Sequence, residues 1–94
     1  MFVISLTYKA PIEEVDRHLD AHLTWLRQGD EKGMLIASGR KVPRTGGVLL
    51  ARGERSAVEA FAAADPFVSQ GVADCEITEV AISIAAPGFE ALKG

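Results

Sequence analysis

Ninety-four residues, 48% hydrophobic and 24% charged, suit a single globular domain spanning 1–94 and exclude two separate cores. A formal charge of −3, with ten basic residues scattered except for Arg40, Lys41 and Arg44 in one loop, gives no electrostatic footprint for nucleic acid. One cysteine, Cys75, excludes an internal disulfide, no apolar run reaches membrane-spanning length, and no basic leader precedes Phe2, so the expectation is a soluble protein of the reducing cytoplasm.

Phe2, Ile4, Leu6 and Tyr8 alternate with Val3, Ser5 and Thr7, which predicts a first strand. Pro11 fits the first turn of a helix, and Glu13, Glu14 and Asp16 place negative charge at the positive end of its dipole. That helix is expected to run from Pro11 to Glu31. Drawn straight, it gathers Ile12, Val15, Leu19, Leu23 and Leu26 on one stripe, with His22 about 50° off its centre and Arg17, His18 and Trp25 towards the exposed flank.

Gly33 closes the helix, and Met34–Gly39 reads as a second strand. A loop containing Pro43 and Gly46-Gly47 leads to a third strand over Val48–Arg52. Ser56-Ala57-Val58-Glu59 has the form of a capping box, so a second helix is expected from Ser56, with Val58, Phe61 and Ala62 inward. Asp65-Pro66 breaks it, Pro66–Gln70 forms a turn, and Gly71 ends the turn. Ala73–Ile84 reads as a long last strand whose apolar parity switches near Thr78-Glu79, which predicts a bulge or a change of covering partner. The tail, Ala85–Gly94, has no clear pattern.

This order, β-α-β-β-α-β, is that of a ferredoxin-like α+β fold with two helices on one face of an antiparallel sheet. Apolar groups on both parities of the strands would leave the other face too apolar for water, which predicts a homodimer through the sheet face.

His22 is a titratable group at the edge of an apolar helical face, and Asp65 is its most economical partner. Asp65 also reads as an ordinary N-cap before proline; one carboxylate oxygen can cap while the other accepts from an imidazole. In that arrangement Asp65 would orient His22 and strengthen it as a general base. His18 lies one turn before His22, yet the pair lacks the adjacent glutamate of the zincin motif, and no metal or other cofactor is expected. Tyr8 and Ser38, near strand ends, could orient a polar substrate, and Ser38 lacks a nucleophile-elbow context. Gly39 and Arg40 follow Ser38, and Arg40, Lys41 and Arg44 could hold a carboxylate or phenolate. Gly46-Gly47 reads as a turn. Cys75 reads as a small buried hydrophobe.

With His22-Leu23 on the first helix, Ser38-Gly39 at the end of the second strand, Gly46-Gly47 before the third and Ala64-Asp65-Pro66-Phe67-Val68 after the second helix, the chain resembles the YCII-related family among the dimeric α+β barrels. The likeness covers nearly the whole chain. Gly39-Arg40 stands where the family commonly has Gly-Pro, so this segment looks like that of a subgroup. The resemblance implies a His–Asp site, here His22 and Asp65, in a pocket beside a dimer interface. Related folds include isomerases and lyases of small ring compounds, and by that analogy the expected activity is proton abstraction or elimination on a small, cyclic or anionic metabolite. The alternative is a non-catalytic dimeric module that binds a small ligand or serves as an accessory subunit. A pocket open to solvent favours the enzyme, and a sealed pair favours the module.

Overall fold

The computed structural model describes residues 1–93; Gly94, the last residue of the expected tail, lies outside them. The elements in chain order are β1 (Phe2–Tyr8), α1 (Ile12–Arg17), α2 (Leu19–Glu31), β2 (Leu35–Arg40), β3 (Gly46–Ala51), α3 (Arg55–Ala63), α4 (Pro66–Ser69) and β4 (Ala73–Glu79), followed by a short 3₁₀ turn over Glu90–Leu92. The four strands form one sheet in the order β2-β3-β1-β4, every neighbouring pair antiparallel. This is the ferredoxin-like α+β arrangement, and its apolar core lies between the sheet and the helices. Phe2, Ile4 and Leu6 of central β1 are buried there, with Leu49 and Ala51 of β3 and Val58, Phe61 and Ala62 of α3. No helix among the described residues is long and apolar enough to cross a membrane.

The expected first helix is broken at His18, whose dihedrals (φ −104°, ψ 5°) leave the helical region and whose N–H bonds back to Val15 at 3.0 Å. The break lets α2 reach both parts of the core. Val15 of α1 joins Phe67, Val72 and Ala73, whereas Trp25 of α2 joins the main core over β1 and β3. The stripe drawn through an unbroken helix is therefore out of phase. The buried face of α2 is His22, Trp25 and Gly29, and Leu23 lies half-exposed. Trp25 is not on the exposed flank: it is 5% exposed, stacks on Phe61 with ring centroids 4.2 Å apart, and its Nε1–H donates to the Phe61 carbonyl at 3.0 Å. Gly29 is required by that packing, because a Cβ there would stand 2.4 Å from the Phe61 ring.

Three further expectations change. Helix α3 starts at Arg55 after Glu54, with no side-chain cap, so the Ser56 capping box does not form. Gly46 and Gly47 belong to β3 and not to a turn; neither has a positive φ, and a Cβ on Gly46 would fall 1.8 Å from the Leu6 carbonyl oxygen, so the glycine permits close backbone approach. Strand β4 ends at Glu79, where its pairing with β1 reaches Phe2 and only a Val80 N–H bond to the Met1 carbonyl follows. Val80–Ile84 is not strand, and Ile84 is 89% exposed.

An irregularity lies instead in β2. Leu35 faces Ala51, yet Ala37 already faces Leu50, so one residue is bulged and the register shifts by one. Ser38 then sits opposite Leu49, and Arg40 opposite Gly47, on the helix-covered face. The uncovered face carries Val3, Val48 and Leu50 beside Ser5, Glu76 and Thr78.

Candidate active site

Asp65 and Pro66 set the site's geometry. The residue before proline is pushed out of the helical region, which ends α3, and Asp65 takes φ −57° and ψ 124° as N-cap of α4. Its Oδ1 accepts the Phe67 N–H at 3.0 Å and also meets His22 Nδ1 at 2.7 Å. The structure thus brings His22 and Asp65 together across 43 residues of sequence. Asp65 is fully buried, with 0% exposure, and its Oδ2 has no partner among the described residues.

His22 is 8% exposed and is fixed on three sides. Its ring stacks on Phe67 with centroids 3.9 Å apart and 8° between planes, and Trp25 lies beside it with centroids at 5.4 Å. Because a carboxylate only accepts, Nδ1 carries the proton in the neutral ring, and the Nε2 lone pair is left free. Nε2 has no partner among the described residues and is not sealed from solvent, and His22 lines a pocket. The imidazole sits at the seam between the two groups of buried side chains, touching Phe67 of one and Trp25 of the other.

The pocket, about 190 Å³, lies between the sheet and α2. Leu6 and Leu49 rise from the sheet, Leu19, Leu23 and Leu26 descend from α2, and Phe67 lies beside the imidazole. The rim consists of Ser38, Gly39 and Arg40 at the exposed end of β2. Tyr8 also lines it, its ring set edge-on to Phe67 at 5.8 Å and 88°. All six residues singled out from sequence, His22, Asp65, Tyr8, Ser38, Gly39 and Arg40, therefore converge on one place, although Asp65 stands behind the imidazole and does not line the pocket.

The three cations expected to act together, Arg40, Lys41 and Arg44, separate, and Arg40 belongs to β2 and not to the loop. Only Arg40 borders the pocket, and it makes no ion pair among the described residues. Lys41 donates to Thr7 Oγ1 at 3.1 Å, while Arg44 pairs with Asp16 at 2.7 Å and lies over the Tyr8 ring. Asp16 first, and Tyr8 after it, hold the Arg44 proton more firmly than usual. Cys75 is half-buried on β4, and burial, then the charge of Asp65, push its thiol above the ordinary range. No group of three His, Cys, Asp or Glu among the described residues is arranged to hold a metal ion. Sequence reasoning missed Phe67 and Trp25 as walls of the imidazole. Trp25 stands three residues after His22, a spacing that shares a helical face once α2 is phased from Leu19.

Fold and site together define a small ferredoxin-like domain whose histidine–carboxylate pair opens into an apolar pocket. The sequence pattern of the YCII-related domain matches residues 1–81, and the chain belongs to the YCII-related family. Among solved structures, the 5-chloro-2-hydroxyhydroquinone dehydrochlorinase TftG from Burkholderia phenoliruptrix AC1100, in complex with 2,5-dihydroxybenzoquinone, is similar in fold. It has a TM-score of 0.69 and 18% sequence identity, over 85% of this chain and 93% of that one. No curated protein matches the chain at a significant level.

Proposed function

We propose that this chain is an enzyme of lyase or isomerase type that abstracts a proton from, or drives elimination in, a small anionic ring compound, and that it works as a cytoplasmic homodimer. One observation carries the reading: the His22 imidazole has one nitrogen bonded to a buried carboxylate and the other without a partner among the described residues, in a side chain that lines an apolar pocket. A merely structural histidine has no need of that access. The alternative, a non-catalytic ligand-binding or accessory module, would suit a sealed pair better.

In the proposed reaction Nε2 takes a proton from a C–H or O–H of the bound compound. The electron pair left behind shifts into the ring or expels a leaving anion, and His22 holds the proton until it returns to solvent or product. Asp65 keeps the tautomer and stabilises the imidazolium that forms. Arg40 faces the negative charge that develops on a ring oxygen, and the hydroxyls of Tyr8 and Ser38 orient it. The apolar walls favour a flat, single-ring body, a class to which the chlorinated hydroxyhydroquinone in the name of the similar structure belongs. The sheet face with Val3, Val48 and Leu50 supports dimerisation, with an expected interface on the order of 1,200–2,000 Å² or more.

The test is a thermal-shift screen of ring phenols and quinones, including 2,5-dihydroxybenzoquinone, followed by assays of solvent-deuterium exchange and anion release. His22→Gln should abolish turnover of any hit that the wild type converts. Ligands that bind His22→Gln and wild type alike, with no exchange in either, would leave the accessory-module reading in its place. Sedimentation showing a monomer at micromolar concentration would refute the dimer.

A further inference from the structure

Three strand glycines line the pocket, Gly39, Gly46 and Gly47, and one of them lies on the helix-covered face of the sheet. Cross-strand partners in an antiparallel pair point to the same face, so Gly47, opposite both Leu6 and Arg40, points to the helix-covered side. Its neighbours on that face, Leu6, Leu49 and Arg40, all line the pocket. A Cβ built on Gly47 would meet a single atom within 4 Å, the Gly39 carbonyl oxygen at 3.1 Å, and otherwise stands in open space. Gly46 differs: there the Cβ would strike the Leu6 backbone, so that glycine answers to strand packing. Gly47 has no positive φ, so conformational freedom does not account for it either.

We infer that Gly47 is the specificity-determining residue of the pocket: its missing side chain creates the recess in which one edge of the ring rests, across from His22. The ligand class rests on the proposed function; the recess does not. A bare strand at this point lets a planar compound lie against the β3 backbone while an oxygen reaches Arg40 on the adjacent strand. A small side chain at 47, whose Cβ meets only the Gly39 carbonyl oxygen within 4 Å, would take up that volume and change which compounds enter, with the His–Asp pair itself unaltered.

The test uses the full chain with Gly47→Val, and Gly47→Ala as the milder change should the Gly39 carbonyl not accommodate valine. The first measurement needs no ligand: acylation by diethyl pyrocarbonate, read residue by residue by mass spectrometry. Gly47→Val should slow modification of His22 several-fold and leave that of His18 unchanged. The second is binding of 2,5-dihydroxybenzoquinone, followed through the Trp25 fluorescence, where the misfit should weaken affinity by about 10–200-fold. Slowed acylation with no binding to wild type would uphold the recess and remove the ring-ligand reading. An unchanged His22 rate in a folded Gly47→Val protein would overturn the inference. So would unfolding of both variants, because the glycine would then serve the approach of β2 to β3.

Discussion

Replacing Asp65 by alanine removes the group that joins α4 to α2, and the structure sets the size of the effect. The N-cap bond to Phe67 N–H is lost, a change that costs about 0.5–2 kcal/mol. The Nδ1–H of His22, 8% exposed and stacked on Phe67, loses its acceptor, and an unsatisfied buried donor costs about 1–3 kcal/mol. Removal of the partnerless Oδ2 offsets part of this. The net expectation is about 2–4 kcal/mol, or a melting temperature lower by about 10–30 °C for a domain of this length. Asp65→Asn keeps an oxygen for the Phe67 N–H and should lose less. His22→Ala should also be costly, since it strands a buried carboxylate, so the double mutant should fall short of the sum by about 1–3 kcal/mol. Thermal unfolding followed by far-ultraviolet circular dichroism measures the wild type and the four variants. An Asp65→Ala protein within about 0.5 kcal/mol of wild type, the scale of an ordinary surface change, would refute the reasoning.

Glycines 46 and 39 should respond oppositely to alanine: Gly46→Ala forces β3 away from the Leu6 carbonyl and should prevent folding, whereas Gly39→Ala meets nothing within 4 Å and should fold with a near-native melting temperature. Equal stabilities would contradict this account. Trp25→Phe should cost about 0.5–1.5 kcal/mol for its hydrogen bond to Phe61, and Trp25→Ala about 3–5 kcal/mol, as urea titrations would show; near-neutral values would mean that the ring is not a core element. Burial raises the Cys75 thiol in the folded state, so iodoacetamide should react more slowly than with a free thiol at neutral pH, and stability should fall as pH rises through the ordinary thiol range, where only the unfolded chain ionises. A folded-state alkylation rate equal to that of free cysteine would exclude that environment.

The strand alternation of Phe2–Tyr8 and the breaker pair Asp65-Pro66 were legible because each rests on a local rule: side-chain period in one case, proline sterics in the other. Much of the candidate site was legible for the same reason, since Asp65 is fixed by its proline and Ser38-Gly39-Arg40 by the end of a strand. What escaped was non-local. The break at His18 lets α2 bridge the two parts of the core, with Leu19 on one and Trp25 on the other, and without it the phase of Trp25 comes out wrong. The glycines of β3 resembled a turn because their actual cause, the Leu6 carbonyl, belongs to another strand. The end of β4 depends on where its partner β1 stops, which no pattern inside β4 records.

The extra residue between Leu35 and Ala37 has a chemical consequence. Were the ladder regular, with Ile36 paired opposite Leu50, the positions opposite Ala51, Leu49 and Gly47 would be Leu35, Ala37 and Gly39, and the mouth of the pocket would be bare and uncharged. With the bulge, a hydroxyl and a guanidinium take those places. The polarity of the entrance is thus written in spacing as much as in residue type: were Ile36 drawn into regular pairing opposite Leu50, the rest of β2 would move by one step and turn Ser38 and Arg40 to the opposite side of the sheet, with every functional residue still present in the chain.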